Sequence, residues 1–291
     1  MVEAVADGGR ALDEVAANAT VAPVTRLVDG WLAKAAPDLP FRRANAVLPA
    51  VGAGADASAA HRTLDALEAW YRSLGRPVII QVSEADPAAA ALDALLAGRG
   101  YVVDAPVDVL VAGVAPVAEA GERAADGLAV ALAERGGPGP VALVVDEGAD
   151  ETWARRYGAV HGHDERWRVR TEAYGRMLAS LGPAVLAGAA VVGGADGGGP
   201  IEVAGIGFVV LERGWAGVFG MGTAPGWRRL GVAGSLLGAL AVEARRRGAT
   251  RTYLQVEVDN EPARRRYASL GYRRAHGYHY RVSGPAVEEG C

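Results

Sequence analysis

The sequence predicts an α/β fold of mixed strand direction, and three observations predict it. The chain has 291 residues, which suggests two domains at roughly 150 residues each. In the second half, apolar runs typical of strands alternate with helical patterns. The first half repeats the last part of that series, which indicates a duplicated domain. We therefore expect two similar domains, each a mixed, mostly antiparallel twisted sheet flanked by helices.

The second half predicts the element order β-α-α-β-β-β-α-β-α-β. Val232, Leu236, Leu240 and Ala244 recur every four residues and predict an amphipathic helix, which Gly248 ends. The predicted strands are 141–145, 184–192, 201–211, 215–223, 251–257 and 272–282, and the named helices are 165–181, 229–247 and 261–270. The glycine cluster Gly193–Gly199 predicts a flexible hairpin loop.

The first half predicts a helix over 58–74, a strand at 78–83, a helix over 88–97 and a strand from 100 to 112. Both halves share a helix, a glycine, a strand with Gln-Val, a second helix and a Gly-Tyr pair, over about 55 residues. The Ala-, Gly- and Pro-rich stretch 113–140 predicts a linker, whose part 128–133 can already be a strand. The predicted division is a domain at 1–115, a linker at 116–127 and a domain at 128–291.

Composition excludes several classes of protein. Lys34 is the only lysine, so no phosphate-binding Gly-x-x-x-x-Gly-Lys-Ser/Thr loop can be written. Cys291 is the only cysteine, which excludes internal disulfides and cysteine-rich zinc sites. The net charge of −4 argues against a general nucleic-acid binder. No signal peptide and no membrane-spanning run is visible, so we expect a cytoplasmic protein without membrane or nucleic-acid partners.

The charge is unevenly distributed along the chain. Residues 221–282 hold 12 arginines and 4 acidic residues, a net charge of +8, whereas the rest of the chain carries −12. A basic segment in an acidic protein suggests an anionic ligand. The arginine triplets 245–247 and 264–266 are better explained as solvated helix faces. Arg228-Arg-Leu-Gly231-Val-Ala233-Gly234 instead lies between a strand and a helix, where unpaired backbone N–H groups favour binding of a phosphate.

These residues resemble the GCN5-related N-acetyltransferases. The run Thr223-Ala-Pro225-Gly-Trp-Arg228-Arg-Leu-Gly231-Val-Ala233 is similar to the family's acetyl-CoA pyrophosphate loop, Arg/Gln-x-x-Gly-x-Gly/Ala. The run Asn260-Glu-Pro-Ala263-Arg-Arg-Arg-Tyr267-Ala-Ser-Leu-Gly271-Tyr272 is similar to Asn-x-x-Ala-x-x-x-Tyr-x-x-x-Gly-Phe. The resemblance covers about residues 128–283 and rests on two motifs in order. It implies an acetyl-CoA-dependent acyltransferase without a metal cofactor.

The resemblance implies a set of acetyl-CoA contacts. The strand ending at Met221, Gly222 and Thr223 would separate from its neighbour and bond the pantetheine arm through its backbone. Backbone N–H groups of Arg229, Leu230, Gly231, Val232, Ala233 and Gly234 would hold the pyrophosphate, with charge added by Arg228. Asn260 would contact the pantetheine; it can equally be the N-cap of the helix that follows.

Tyr267 is the expected general acid, because its hydroxyl can protonate the departing thiolate; the alternative is a core aromatic. The family has no fixed general base. Glu257 is the first candidate, with an arginine partner as the alternative, and His279 and His276 follow. Being three apart on a strand, the two histidines face opposite sides, so at most one can serve.

The helical region before the second strand usually lines the acceptor pocket in this family. The resulting acceptor-site candidates are Trp153, Tyr157, His161, Trp167 and Tyr174. His161, His163 and Asp164 form a sparse set without a further ligand nearby, so no metal site is expected. The acceptor is expected to be a small-molecule or peptide amine, and the protein a monomer or homodimer.

The first half lacks the corresponding chemistry. Its turn Val51-Gly-Ala-Gly-Ala-Asp56-Ala has no arginine, and Asp56 would repel a pyrophosphate. Leu96 stands where Tyr267 stands in the second half, and leucine cannot protonate a thiolate. The first half is therefore expected to be degenerate, a layout similar to that of mycothiol synthase. Two other readings remain: a CoA-binding interaction module that has lost catalysis, and an acyltransferase that uses a longer acyl-CoA.

Overall fold

The computed structural model describes residues 8–134, 141–162, 165–193 and 202–284. The chain divides into two compact units. The first combines Met1–Leu110 with Gln255–Glu261 and Arg274–Cys291, and the second combines Val111–Leu254 with Pro262–Arg273. The predicted fold class is confirmed, since helices accompany mostly antiparallel strands. Cys291 and nearly all of the predicted loop Gly193–Gly199 lie outside the described residues.

The first unit contains most of the elements of the first half. They are α1 Gly8–Asn18, β1 Val24–Val28, β2 Trp31–Ala35, α2 Arg42–Asn45, α3 Ala57–Ser73, β3 Ile79–Ser83, α4 Ala89–Gly98 and β4 Val102–Gly113. Leu64, Leu67 and Tyr71 of α3 are buried in one cluster with Ile80 of β3 and Leu96 of α4. Burial of these side chains gives the first unit a hydrophobic core of its own.

The remaining elements follow the predicted order from β5 to β10. They are α5 Val114–Glu134, β5 Val141–Glu147, α6 Glu151–Val160, α7 Glu165–Ser180, β6 Val185–Val192, β7 Glu202–Glu212, β8 Trp215–Thr223, α8 Val232–Arg246, β9 Arg251–Glu257, α9 Glu261–Ser269 and β10 Arg273–Val282. Among the described residues, no helix has both the length and the apolar character needed to cross a bilayer.

The strands of the second unit have the order β9-β8-β7-β6-β5. The pairs β5–β6, β6–β7 and β7–β8 are antiparallel, whereas β8 and β9 are parallel. In the first unit the order is β3-β10-β4, with β3 and β10 antiparallel, and β1 and β2 form a separate hairpin. The last strand of the chain thus completes the sheet of the first unit.

The predicted linker 116–127 is wrong in structure, because it lies inside the helix α5. The possible strand at 128–133 belongs to the same helix. Pro116 stands in the first turn, where a missing N–H is tolerated. Gly121 reflects close packing, since a Cβ there would overlap the Cα of Gly238 on α8 and lie 2.8 Å from its backbone nitrogen. The Ala-, Gly- and Pro-rich composition that suggested a linker here belongs to a tightly packed helix.

The duplication predicted from sequence has a counterpart in hydrogen bonds. Tyr101 N–H donates to Leu96 O at 3.0 Å, and Tyr272 N–H donates to Tyr267 O at 3.1 Å. The glycine before each tyrosine, Gly100 or Gly271, has φ of 82° or 92°. Both helices therefore end in the same left-handed glycine turn. The assignment of each half to a copy of one domain, with the ranges given above, stays a prediction.

We predict that the α5–α8 crossing depends on Gly121. Gly121→Ala would force a methyl group into the α8 backbone and should destabilise the protein by about 1–3 kcal/mol or more. The matched control is Gly127→Ala on the same helix, where a Cβ has no atom within 4 Å. The control should be stabilised by about 0.5–1 kcal/mol, because alanine is the better helix former. Thermal unfolding midpoints test both, and equal midpoints for the two variants would contradict the packing argument.

Candidate functional site

The end of β8 leaves the regular sheet at a bulge. The register against β7 shifts between the pairs Ile206–Gly222 and Phe208–Phe219. Gly220 lies inside the shift with φ of 60°, and a Cβ on it would be 3.0 Å from the ring of Phe208. Only glycine meets both requirements. A bulge of this kind bends a strand and redirects its backbone groups, and the sequence analysis did not predict it.

Within the second unit, the pairing of β8 with β9 ends before the bulge. The parallel pairing extends from Trp215–Arg251 to Val218–Leu254, while β8 itself continues to Thr223 alongside β7. The predicted separation of the strand at Met221, Gly222 and Thr223 from its neighbour agrees with this pairing and stays a prediction. The β9-facing backbone groups of this segment are available to pair with an extended ligand, as strands do with added peptides.

A tight loop links β8 to α8. A 3-10 turn at Pro225–Trp227 is followed by Arg229 with φ of 65° and Gly231 with φ of 99°. Leu230 and Val232 are buried against Leu128 and Leu132 of α5. The exposed arginines Arg228 and Arg229 lie on the outer side of the same loop. Buried apolar side chains thus hold the loop on its inner side. On its outer side, the loop backbone and the two arginines face solvent.

The first turn of α8 presents donors. Its first backbone hydrogen bond among the described residues runs from Ser235 N–H to Gly231 O at 3.0 Å. The N–H groups of Val232, Ala233 and Gly234 precede that bond, so no carbonyl of the helix can accept from them. The helix dipole adds positive potential at this end. Loop and helix together form the arrangement that binds phosphate groups.

Arg266 of α9 also reaches this turn, although sequence analysis placed it on a solvated helix face. A Cβ at Gly234 would overlap the Arg266 guanidinium, and the Cζ of Arg266 would be 3.0 Å away. The guanidinium therefore lies directly over the first turn of α8. Within the described part of the chain, no carboxylate contacts it. In the sequence, Arg266 was marked only as a member of an arginine triplet. A second triplet, 245–247, has the same composition, so the sequence did not single out Arg266.

Tyr267 lies in the next position of α9. Its ring meets the ring of Tyr272 edge to face, with centroids 5.8 Å apart. The Tyr272 hydroxyl is paired with Thr252 Oγ1 at 3.0 Å, whereas none of the described residues bonds the Tyr267 hydroxyl. Burial raises the pKa of Tyr267 above its ordinary value. The side chain is thus a neutral phenol with a proton to donate.

Asn260 and Glu257 belong to the first unit by their contacts. Asn260 directly precedes α9, at the N-cap position, and its N–H donates to Glu257 O at 3.0 Å. The Glu257 carboxylate is 55% exposed and lies 3.7 Å from Nη1 of Arg42. Its arginine neighbour is therefore in the first half of the chain, outside the basic segment where the sequence suggested one.

Each of the two histidines considered as bases pairs with an aspartate in the first unit. His276 is 7% exposed, and its Nε2 lies 2.9 Å from Asp13 Oδ1. His279 is 27% exposed, and its Nε2 lies 2.6 Å from Asp93 Oδ1. Arg281, and after it His279, lower the pKa of the Asp93 carboxyl by hydrogen bonding. Glu257 is the most exposed of the three predicted bases.

The aromatic acceptor-site candidates are largely core residues. Trp153, Tyr157 and Tyr174 are 5%, 7% and 8% exposed. Their rings stack or tilt on one another and on Phe208 at centroid distances of 5.1–5.9 Å. His161 differs, because its exposed ring would lie 2.9 Å from a Cβ placed on Gly222. Partial desolvation of the ring lowers the pKa of His161 below its ordinary value. The side chain of Trp167 lies outside the described residues.

The described residues contain no group of three or more His, Cys, Asp or Glu side chains arranged for a metal ion. His163 and Asp164, two members of the sparse set noted in the sequence, lie outside those residues.

In the first half, the corresponding positions carry structural side chains. Asp56 caps α3 by accepting from Ala59 N–H at 3.0 Å. Leu96 is fully buried in the first core. An apolar side chain and a capping carboxylate thus occupy the positions that the second half gives to a phenol and to a phosphate loop.

The comparisons with known proteins agree with this geometry. Residues 147–272 match the model of the acetyltransferase (GNAT) family. The matched residues include the bulged strand, the loop, α8 and Tyr267, so this segment is similar to the domains of that family. This similarity supports an acyltransferase in general, with acyl-CoA as donor. No curated protein matches the chain.

Solved structures show the same fold over most of the chain. A GCN5-related N-acetyltransferase from Kribbella flavida has a TM-score of 0.60 at 16% identity, covering 98% of both chains. A functionally unknown protein from Staphylococcus epidermidis has a TM-score of 0.57 at 9% identity, covering 90% of this chain and 93% of that one. A tandem GNAT protein from the clavulanic acid biosynthesis pathway has a TM-score of 0.55 at 15% identity, with coverages of 78% and 70%. These identities show the fold alone. The similarity in layout to mycothiol synthase stays a prediction.

Proposed function

We propose that this protein is an N-acetyltransferase that transfers the acetyl group of acetyl-CoA to a primary amine of a small-molecule or peptide acceptor. The observation that carries the proposal is the bulged end of β8 leading into the loop and first turn of α8. The edge of β8, which suits the extended pantetheine arm, thus leads directly to the first turn of α8, which suits a pyrophosphate. The cytoplasmic location and the monomeric or homodimeric state remain proposals of the sequence analysis.

The residues present fit acetyl-CoA. The N–H groups of the first turn of α8 would bond the pyrophosphate oxygens, and glycine at 234 leaves the turn open to close approach. Arg228 and Arg266 would add charge there. The freed backbone of Met221, Gly222 and Thr223 would bond the pantetheine arm, with Asn260 as a further contact.

Bound acetyl-CoA would supply an activated acetyl group as a thioester. Glu257 is the base we propose, since it is the most exposed candidate; it would take a proton from the acceptor ammonium and so free the nitrogen lone pair. Backbone N–H groups at the end of β8 would stabilise the developing oxyanion. Tyr267 would give its proton to the sulfur as the carbon–sulfur bond breaks. His279 would be the base if Glu257 proved dispensable.

We predict that Gly231→Asp weakens acetyl-CoA binding by about 100-fold or more. The aspartate would strain a left-handed backbone and place a negative charge against the pyrophosphate. Gly248→Asp is the matched control, because Gly248 has φ of 89° and ends the same helix at its far side. Calorimetric titration with acetyl-CoA measures both Kd values. A Gly231→Asp variant that binds as tightly as Gly248→Asp would contradict the proposed phosphate site.

Arg266→Gln should weaken acetyl-CoA binding by about 10–100-fold. Hydrogen bonds to charged groups contribute about 1.5–3 kcal/mol, and 1.4 kcal/mol corresponds to tenfold in Kd. Arg265→Gln, on the exposed side of the same triplet, is the control and should bind nearly as the parent does. Between low and high salt, the Kd of acetyl-CoA should change less for Arg266→Gln than for the parent protein. Equal Kd values for both variants would remove Arg266 from the phosphate site.

Tyr267→Phe should lower kcat by about 10²–10⁴-fold with little change in the Kd of acetyl-CoA, since only the acid is lost. Tyr272→Phe is the control, because its hydroxyl already bonds Thr252; it should retain kcat at a temperature below its unfolding midpoint. Thiol release from acetyl-CoA over a panel of amines is the assay. Tight binding of acetyl-CoA with no turnover on any amine by the parent would instead favour a lapsed binding module.

A further inference from the structure

The first unit contains a polar cavity whose lining includes Glu257, the base proposed for acetyl transfer. Its volume is about 220 Å³. At about 30 Å³ per water molecule, that is room for about seven waters. Every lining residue belongs to the first unit: Pro40, Phe41, Arg42, Arg43, Ala105, Val107, Gln255, Glu257, Tyr278 and Tyr280.

β4 is irregular where it lines the cavity. Ala105 has φ of 40°, a left-handed conformation that is rare for a residue with a side chain. Pro106 follows it and has no N–H to donate to a neighbouring strand. Its carbonyl accepts from Val258 N–H at 2.9 Å, which fixes the chain just after Glu257. Strained backbone of this kind is retained mainly where the surrounding structure or a function requires it.

One part of the lining carries hydrogen-bond donors. Arg43 Nη1 donates to Gln255 Oε1 at 2.8 Å, and the Arg43 guanidinium also bonds the Tyr278 hydroxyl. The Tyr280 hydroxyl donates to the Tyr278 hydroxyl at 3.5 Å. Tyr278 and Tyr280 are 4% and 2% exposed, so their ring positions are fixed by packing. A tyrosine that accepts from two donors still has its own O–H to give, and a guanidinium has five N–H groups.

Another part of the lining carries a carboxylate. Arg42 binds Asp104 through two hydrogen bonds of 2.6 and 3.1 Å, which satisfies most of its charge. Glu257 lies 3.7 Å from Arg42, beyond hydrogen-bond distance, and its side chain is 55% exposed. Because the nearest guanidinium is already held by Asp104, the Glu257 carboxylate is available to a further cation.

We propose that this cavity binds a small zwitterion of the size of a free amino acid, with its carboxylate on Arg43 and Tyr278 and its ammonium on Glu257. The donors and the carboxylate match the two charged ends, and Phe41 and Val107 offer apolar contact to a short side chain. All of the lining residues lie in the first unit. Because Glu257 is also the proposed base, assignment of the ligand's ammonium as the acceptor amine would rest on the proposed function, whereas binding of the free zwitterion can be measured without acetyl-CoA.

The test uses the full chain without acetyl-CoA. Thermal shifts with the free proteinogenic L-amino acids identify a ligand, and titration calorimetry then measures its Kd. The N-acetyl form and the amide form of that amino acid should each bind at least about tenfold more weakly, because each loses one charge. Glu257→Gln and Tyr278→Phe should each weaken binding of the free amino acid by about tenfold or more, with circular dichroism confirming that the variants fold.

Glu119→Gln is the matched control, since Glu119 is exposed on α5 and outside the cavity. It should bind as the parent does. The proposal is overturned if no amino acid binds, if the blocked forms bind as well as the free one, or if Glu257→Gln and Glu119→Gln have equal affinity. Because no acetyl-CoA is present, these outcomes are independent of the acetyl-transfer assay.

Discussion

The close approach of α5 and α8 is the constraint on which the second unit depends. Gly121 and Gly238 meet backbone to backbone, so that neither position has room for a Cβ. This approach brings Leu128 and Leu132 of α5 against Leu230 and Val232, which hold the loop before α8. Packing of two helix backbones thus sets the direction in which the donors of the first turn of α8 point. The geometry of the proposed phosphate site therefore depends on a contact between glycines farther along the same helices.

A second constraint acts on the other side of that loop, where β8 must leave β9 while staying paired with β7. The left-handed Gly220 and the register shift beside it accomplish this within one strand. The α6 helix covers the freed segment, with Val160 and His161 close to Gly222. Because Gly220 is needed for the bulge and Gly222 for the close approach of α6, the segment Gly220–Thr223 can present its backbone where most strands present side chains.

Much of the architecture could be predicted from sequence because the local signals were strong. The four-residue spacing of Val232 to Ala244 and the Gly-Tyr pairs each fix an element by short-range physics. The failure at α5 has a clear cause, since alanine, glycine and proline are common to linkers and to closely packed helices. A packed helix differs from a linker in having a packing partner far along the chain. The sequence around Gly121 does not indicate that this partner is Gly238.

The site was predictable to a similar extent. The backbone donors and Tyr267 follow from motifs whose spacing is local. Arg266, the partners of His276 and His279, and the burial of Tyr157 depend on tertiary contacts, which the spacing of residues in one segment does not encode. The cavity of the first unit joins four segments, the first and last of which are more than two hundred positions apart, so no local pattern could have indicated it.

The placement of β10 has a consequence for how the protein is made. β3 ends at Ser83, yet its partner in the first unit is Tyr278, and at about 5–20 residues per second these strands leave the ribosome about 10–40 s apart. During that interval the first half has no β10 to pair with and keeps a strand edge open. The second unit, whose sheet is drawn from a nearly continuous stretch of chain, can form meanwhile. The first unit to be synthesised is therefore the last to be completed.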